Sequence, residues 1–434
     1  YENIEDWARR LKKAKAFSTK DQQERLNRLI VDSIDKSGQK YGDAGKYDEA
    51  ATFYVRIAKE FPAHKIAPQS LMNAGVMYEK AKRPSDAAEI YLQLAQTYTT
   101  SNADLAEKAA FAAGQVYERF IYYDRAAAAY ELVAAKFGKG AKVADAVYNA
   151  GVLRQALGEH QKAIAHYQDY SKRFRERKDA ADVAFNIGVV YEDAGDDGRA
   201  DQAFRDYART FAGTGRHVVE AHVRAGRASL RLGQGRRAKD EFASALANFK
   251  RASGKEKNEA KAWAAEARYN EGELVFREFE VVSLDVKPAA LDKALKKKGQ
   301  LLEAAQKIYI NVVEYGDAKW ATAALFRSGQ VYDGFAESLV TAATPNGLTE
   351  AEQAAYREAL DMYVVQIQDK AVERFTDGYQ KAIQLQVYDQ YTVKIREALG
   401  RLASDKFPPE REARGKARVA DKPIAVELMT EVAR

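Results

Sequence analysis

The sequence predicts an all-α chain built from repeated helix hairpins, and three observations support this. Glycines recur at intervals of 37 to 39 residues along the first six units. An alanine follows each of these six glycines by twelve residues, and an aromatic residue follows that alanine by four. The 434 residues include only eight prolines, which suits long helices. A fixed period in this range is typical of stacked supersecondary units, so we interpret the chain as a repeat protein.

The repeated positions number eight, with longer intervals before the last two. The glycines are Gly38, Gly75, Gly114, Gly151, Gly188, Gly226, Gly272 and Gly329. The first six alanines are Ala50, Ala87, Ala126, Ala163, Ala200 and Ala238. The aromatic residues after them are Tyr54, Tyr91, Tyr130, Tyr167, Phe204 and Phe242.

Each repeated residue has a steric reason. Glycine inside a helix costs about 1 kcal/mol relative to alanine, so we expect a neighbouring backbone to approach closely at each glycine. The alanine supplies a small residue on the facing helix. The aromatic residues lie on the same helix faces and fill the space between hairpins. A second aromatic residue, seven positions further on, begins with Phe61.

The combined pattern resembles the tetratricopeptide repeat (TPR) family. The order is Gly-x-x-Tyr, then Ala-x-x-x-Tyr/Phe, then Phe61-Pro62 in the first repeat. The match extends over residues 25–249 and implies a right-handed TPR-type solenoid of about seven to eight hairpins. The repeats exceed the 34 residues of the family unit and lack its tryptophan. Residues 61–70 resemble the lengthened repeats of bacterial envelope TPR proteins.

The spacing predicts three regions. Residues 1–253 form a regular TPR superhelix of repeats 1–6. Residues 254–345 continue the repeats with an insertion near 276–298, interpreted as a longer hairpin or an edge loop, with a partner-binding projection as the alternative. Residues 346–434 form long C-terminal helices and a charged tail.

The C-terminal region has its own boundary signals. Thr349 and Glu352 form a predicted capping box at the start of an amphipathic helix. Residues 347–375 resemble the C-terminal parts of TPR proteins linked to gliding motility in myxobacteria. Phe407-Pro408-Pro409 is expected to stop the last helix, and the charged segment to Lys422 is expected to lie over the surface as a tail.

Composition argues against several classes of function. No run of apolar residues is long enough for a membrane span. The absence of cysteine excludes disulfides, thiolate metal sites and a thiol nucleophile. The five histidines show no metal-ligand spacing, and the glycine pairs match no nucleotide-binding motif. We therefore expect no enzyme activity, cofactor or metal. The sequence begins at Tyr1, which leaves open an upstream signal, lipid anchor or further domain.

The resemblance also implies a binding surface. In TPR proteins the residue two before the glycine points into the concave groove, and here we call this position the ladder. Its predicted partner-binding members are Asn73, Asn149, Asn186, Arg224, Asn270 and Arg327. Asparagine is a poor helix former, so its recurrence suggests hydrogen bonds to a peptide backbone, as in the asparagine ladder of the nucleocytoplasmic sugar transferase. The alternative is that these side chains support hairpin contacts or face water. The arginines resemble carboxylate-binding residues of TPR domains, but Glu220 stands where the clamp has lysine.

Charge predicts a second surface. Residues 213–261 contain twelve lysines and arginines but five acidic residues. The basic patch is defined by Arg227, Arg231, Arg236, Arg237 and Lys239. It could bind an acidic protein or an anionic membrane surface, and nucleic acid is the weakest option because no aromatic platform accompanies it.

The sequence favours a non-catalytic protein–protein interaction scaffold that binds a protein or peptide segment. The resemblance places it in a bacterial cell-envelope or motility assembly, in the periplasm or at the outer-membrane periphery. The alternatives are a cytoplasmic TPR adaptor or regulatory module of a larger multidomain protein, and a basic nucleic-acid-binding superhelix.

Overall fold

The predicted all-α fold is confirmed by the structure, a computed structural model that describes residues 1–408. Within these residues the chain forms nineteen α-helices and one 3₁₀ turn at Lys15–Phe17. The helices are α1 Glu2–Lys13, α2 Lys20–Asp43, α3 Tyr47–Glu60, α4 Ala67–Lys80, α5 Pro84–Thr97, α6 Ala103–Arg119, α7 Tyr123–Lys136, α8 Val143–Ala156, α9 His160–Arg173, α10 Ala180–Asp193, α11 Asp197–Thr210, α12 Val218–Arg231, α13 Gly235–Arg251, α14 Gly254–Glu259, α15 Lys261–Val281, α16 Pro288–Glu314, α17 Ala318–Val340, α18 Glu350–Leu385 and α19 Gln390–Leu402.

The helices pack in chain order as hairpins, which makes the chain a helical repeat solenoid. Hairpins 1 to 6 pair α2 with α3, α4 with α5, α6 with α7, α8 with α9, α10 with α11, and α12 with α13. Hairpin 7 pairs α15 with α16, and hairpin 8 pairs α17 with α18. The chain divides into two compact units, Tyr1–Asn248 and a second that begins at Phe249. Hairpins 1 to 6 belong to the first unit apart from the last residues of α13.

Every repeat glycine lies against the ring of an aromatic residue on the second helix of its own hairpin. In hairpin 5, a Cβ built on Gly188 would lie 2.5 Å from Cε1 of Phe204. The eight pairs are Gly38 with Tyr54, Gly75 with Tyr91, Gly114 with Tyr130, Gly151 with Tyr167, Gly188 with Phe204, Gly226 with Phe242, Gly272 with Tyr309, and Gly329 with Phe375. The expectation of an approaching backbone is therefore wrong, because a side-chain ring fills the space of the missing Cβ.

The turn inside each of the first six hairpins uses one backbone geometry. The residue seven after the repeat glycine has a left-handed φ in all six, at Gly45, Lys82, Ile121, Gly158, Gly195 and Gly233. In hairpin 4 the amide of Glu159 donates to the carbonyl of Arg154 at 2.8 Å, and the equivalent bond recurs in the other five. This pairing is the Schellman motif, which satisfies the last carbonyls of the first helix.

The additional residues of hairpin 7 lengthen both of its helices. Lys298, from the basic run in this segment, is buried in α16 and not in solvent. Its ammonium donates to the carbonyls of Val282 (2.7 Å) and Phe279 (3.2 Å), at the end of α15. Burial lowers the pKa of Lys298. This lysine therefore caps the C-terminus of α15 with hydrogen bonds to its last carbonyls.

The C-terminal helices complete the array. The capping box at Thr349 and Glu352 is confirmed, since each residue's side chain bonds to the other's backbone amide. Helix α18 supplies Ala371 and Phe375, the alanine and aromatic residue of hairpin 8. The last described helix ends at Leu402, before Phe407, and the predicted tail lies outside the described residues. No helix within residues 1–408 has the length and apolarity needed to cross a membrane.

Candidate functional site: the first-helix face

The ladder residues of the first unit lie at one register on the first helices of successive hairpins. Asn73 is on α4, Asn149 on α8 and Asn186 on α10, and each is half-buried. Three residues further on, the same helices carry Val76, Val152 and Val189, so the face repeats an Asn-x-Gly-Val motif. The sequence analysis predicted a role for the glycine and the asparagine of this motif but not for the valine, although its fixed spacing is visible in the sequence. The resulting surface alternates amide groups with small apolar side chains.

The asparagines differ in the hydrogen-bond partners that their side chains already have within the protein. The Asn73 Oδ1 atom accepts a hydrogen bond from Gln69 at 3.0 Å, four residues earlier on α4. The Asn149 side chain is within hydrogen-bonding reach of the Tyr130 hydroxyl. The Asn186 amide makes no hydrogen bond within the described part of the chain. Its polar atoms are not fully buried, so this amide can still accept and donate further hydrogen bonds.

Arg224 is held by acidic residues of the protein itself. Its guanidinium contacts Glu192 at 2.5 Å and Glu220 at 2.8 Å. Glu220, which stands at the position of the clamp lysine, is thus an internal partner of this arginine. Burial opposes ionisation of Glu192, but hydrogen bonds from Arg227 and Arg224 outweigh it and hold its pKa below the usual range. The first-helix face is therefore already charge-balanced at Arg224.

Glu192 stands at a position that recurs in other hairpins, four residues after the repeat glycine. In hairpins 2 and 3, the residue four after the glycine accepts a hydrogen bond from the paired tyrosine, as Glu79 does from Tyr91 at 2.8 Å. Glu118 and Tyr130 form the same bond at 2.8 Å. In hairpin 5 the aromatic residue equivalent to these tyrosines is Phe204. Because phenylalanine donates no hydrogen bond, the Glu192 carboxylate is bound by the arginines of α12 without a tyrosine, whereas Glu79 accepts from both its tyrosine and an arginine.

The ladder residues of the second unit are also engaged. Asn270 donates to the carbonyl of Glu266 at 2.9 Å, within its own helix. Arg327 contacts Glu273 at 2.8 Å and Gln330 at 2.7 Å. The hydroxyl of Tyr309 also donates to Glu273, at 2.8 Å. These contacts make Asn270 and Arg327 parts of the hairpin 7 and 8 framework.

The basic patch divides into paired and unpaired residues. Arg227 contacts Glu192 at 2.9 Å, and Arg231 contacts Asp197 at 2.6 Å. Arg237 lies 3.3 Å from the buried carboxylate of Asp201. The remaining two, Arg236 and Lys239, are exposed and form no ion pair within the described residues. The acidic partners come from hairpin 5, outside the sequence window whose charge excess suggested the patch.

Two of the first six hairpins lack the aromatic residue three after the glycine, and polar contacts take its place. In hairpin 4 this position is Arg154, which is only 5% exposed. Its guanidinium binds both carboxylate oxygens of Glu131 at 2.8 Å and also contacts Asp124 and Glu159. In hairpin 6 it is Ser229, which is 3.2 Å from Asp201. These polar clusters tie neighbouring hairpins together.

The Arg154 cluster also affects the ionisation of Glu131, one of the carboxylates that Arg154 binds. Burial opposes ionisation of Glu131, but hydrogen bonds from Arg154 and His166 outweigh it and lower its pKa. Within residues 1–408, no group of three or more potential ligands is arranged to hold a metal ion. The side chains described on the first-helix face are amides, paired arginines and small apolar groups.

Comparison with known proteins supports the repeat assignment at one position. Residues 145–176, within hairpin 4, match the tetratricopeptide repeat family. No curated protein matches the chain significantly.

Solved structures overlap parts of the chain. The C-terminal part of a TPR repeat-containing protein from Cytophaga hutchinsonii is 13% identical, with 64% of this chain and 98% of that one covered and a TM-score of 0.36. BtubC from P. vanneervenii is 16% identical, with 51% and 91% covered and a TM-score of 0.30. YrrB, described as a TPR protein with an unusual peptide-binding site, is 17% identical, with 45% and 91% covered and a TM-score of 0.30. The fold assignment rests on the chain's own helix packing.

Proposed function

We propose that this protein is a non-catalytic protein–protein interaction scaffold that binds an extended partner segment along the first-helix face of hairpins 2 to 5. The observation that carries the proposal is the repeated Asn-x-Gly-Val motif on α4, α8 and α10. Each motif offers an amide that can both donate and accept hydrogen bonds, next to a small apolar side chain. An extended peptide presents a matching alternation of backbone amides and side chains.

The burial pattern supports this assignment. The asparagines are half-buried, so hydrogen bonds to a bound peptide would form away from bulk water. Alanine would be the better helix former at these positions, by a few tenths of a kcal/mol to about 0.7 kcal/mol. The asparagines are thus placed against helix propensity, and the Asn186 amide has no partner within the described residues. A role in binding would give the Asn186 amide a partner that the described residues do not supply.

A selected peptide provides the test. A phage-displayed random peptide library is panned against the full chain, and the affinity of recovered peptides is measured by fluorescence anisotropy. We expect the double variant Asn149→Ala/Asn186→Ala to bind roughly tenfold or more weakly, because each lost hydrogen bond in a desolvated site costs about 1–3 kcal/mol. Its thermal stability should be unchanged or slightly higher, since Tyr130 keeps its bond to Glu118.

The matched control reverses charge at Arg236 and Lys239. Arg237 is left unchanged, because a carboxylate there would face the buried Asp201. We expect the control to retain affinity for the selected peptides. If the control loses binding while the double alanine variant keeps it, the basic patch is the site and the ladder proposal fails.

The cellular setting is a separate part of the proposal. The resemblance to lengthened envelope repeats favours a bacterial cell-envelope or motility assembly. Fractionation of cells that express the full-length gene product tests this. Recovery with the periplasm or membranes would support the envelope setting, and recovery in the cytoplasm would instead favour the adaptor alternative.

A further inference from the structure

The turn of hairpin 3 differs in chemistry from the other turns of the first unit. Its four residues are Phe120, Ile121, Tyr122 and Tyr123, with exposed fractions of 46%, 71%, 45% and 38%. At the same four positions, the other five hairpins of α2 to α13 carry at least one charged residue or glycine. Contiguous exposed apolar residues on a folded protein usually mark a binding surface.

This turn also breaks a rule of local stability. Ile121 adopts a φ of 65°, where four of the six hairpins have glycine. A β-branched residue in this conformation is strained, because its side chain crowds the backbone. Tyr122 occupies the N-cap of α7 without a capping hydrogen bond, as Lys46, Arg83 and Glu159 do in hairpins 1, 2 and 4, so the left-handed, β-branched Ile121 is the feature that sets this turn apart. Such departures concentrate at functional sites.

The tip is held in place by aromatic packing. The rings of Tyr117 and Tyr122 meet edge to face with centroids 6.2 Å apart. The Arg125 guanidinium lies over both rings, at 5.9 Å and 5.7 Å. Phe120 and Ile121 are therefore presented to solvent from a fixed turn.

An ion pair links hairpins 2 and 3 at these turns, and three of the local acids pair with arginines, whereas Glu118 accepts a hydrogen bond from a tyrosine hydroxyl and keeps its charge. Arg119 contacts Glu79 at 3.0 Å, which links the end of α6 to the end of α4. Asp86 is bound by Arg83 and Glu118 by Tyr130. Asp124 is bound by Arg154 at 2.7 Å.

The basic residues of the two turns are not all neutralised in return. Lys80, Lys82 and Arg125 form no ion pair with a carboxylate within the described residues. Three unpaired cations therefore border the apolar tip, alongside Glu118 and Glu89, which form no ion pair within the described residues. The edge formed by these two turns is apolar at its end and carries one more unpaired cation than unpaired acid.

We propose that the hairpin 3 tip inserts into the interface of an anionic lipid bilayer. Isoleucine and phenylalanine would enter the boundary of the acyl chains, and the tyrosines would lie at the level of the headgroups. Lys80, Lys82 and Arg125 would face the lipid phosphates. A protruding tip suits a bilayer because lipid needs no cavity of matching shape, and the free positive charge matches an anionic surface. This contact is independent of the ladder.

Vesicle flotation tests the proposal with the full chain. The vesicles contain either phosphatidylcholine alone or phosphatidylcholine with phosphatidylglycerol. We expect the wild type to float with the anionic vesicles and less with the neutral ones. Ile121→Gly should bind roughly tenfold or more weakly, because it removes the most exposed apolar side chain of the tip. Its melting temperature should be equal or higher, because glycine suits this φ.

Two control variants distinguish binding through the tip from nonspecific adsorption of exposed apolar residues to the vesicles. Val281→Ser removes another highly exposed apolar side chain, 84% exposed at the end of α15, and should bind vesicles like the wild type. Lys82→Gly should weaken binding to the anionic vesicles more than to the neutral ones, since it removes a cation.

Direct insertion can be observed because the chain has no cysteine. An environment-sensitive fluorophore attached to Ile121→Cys should shift to the blue on addition of anionic vesicles, and one attached to Val281→Cys should not. The proposal is overturned if the wild type binds neither kind of vesicle, or if Ile121→Gly binds as well as the wild type. Loss of a protein contact by Ile121→Gly, with no vesicle binding by the wild type, would make the tip a protein-docking element instead.

Discussion

At the scale of single residues, the spacing inside each hairpin depends on an absent Cβ. The ring of an aromatic residue rests on the glycine of the facing helix in all eight hairpins of the described chain. Glycine is unfavourable in a helix by about 1 kcal/mol, and ring burial offsets this cost. Phe204, Tyr130 and Tyr167 are fully buried against their glycines. The glycine and the ring therefore act as one packing unit.

Alanine substitution at two of these glycines should separate packing from helix propensity. A Cβ at Gly188 would meet Phe204 at 2.5 Å, whereas one at Gly38 would meet Tyr54 at 3.0 Å. We expect Gly188→Ala to lower the free energy of unfolding by about 1–3 kcal/mol through overpacking. Gly38→Ala should be near neutral, because its gain in helix propensity offsets a milder contact. Urea denaturation measures both, and equal effects would contradict the ring-on-glycine account.

At the scale of elements, the Schellman turn fixes how the two helices of a hairpin meet. Its left-handed residue is glycine in four of the first six hairpins and Lys82 or Ile121 in the other two. Glycine reaches this conformation without steric cost, and other residues do not. Introducing glycine at this turn and removing it should therefore have opposite effects on stability.

Exchanging residues at this turn should show those opposite signs. Lys82→Gly should stabilise the protein by up to about 1 kcal/mol, because it relieves the left-handed strain at φ 58°. Gly158→Ala should destabilise it by about 1 kcal/mol, since its φ of 74° is strained for alanine and no atom lies within 4 Å of the added Cβ to compensate. Thermal melts of the two variants compare the signs directly. A stabilising Gly158→Ala would show that backbone strain does not control this turn.

At the scale of the whole molecule, the first unit contains everything that its hairpins need for packing. The core of α1 to α10 is continuous, and α10 to α12 continue it through Phe185 and Phe204. Coupling in a repeat protein passes mainly between neighbouring hairpins. The first unit therefore has the contacts of an independently folding array.

A fragment of residues 1–253 should fold alone as a soluble helical protein. It retains α13 to its end at Arg251, so Phe242 still covers Gly226. A matched fragment of residues 1–234 lacks α13 and should melt at a lower temperature, because the second-helix partner of α12 is missing. Circular dichroism and size-exclusion chromatography measure both. An unfolded or aggregated 1–253 fragment would show that the first unit depends on the second.

Much of this architecture could be predicted from the sequence, because the patterns that indicate it are local. The glycine period, the Ala-x-x-x-aromatic pairs and the Thr349 capping box each depend on residues within one or two helices. The regular spacing did not predict the glycine–aromatic pair of the eighth hairpin, because inserted residues separate Gly329 from Phe375. Its pattern was visible as helical periodicity, but the pairing required the structure.

The sequence by itself determined the fold class, the register of the ladder and the identity of its asparagines, because periodicity alone assigns residues to helix faces. Tertiary structure decided which charges are free. Arg224 and Arg237 are matched by Glu192 and Asp201 from an adjacent hairpin, some 30 residues away in sequence. Charge counts within a window miss such partners, because stacking brings together residues one repeat apart. The same stacking leaves Phe120 and Ile121 of the hairpin 3 tip exposed.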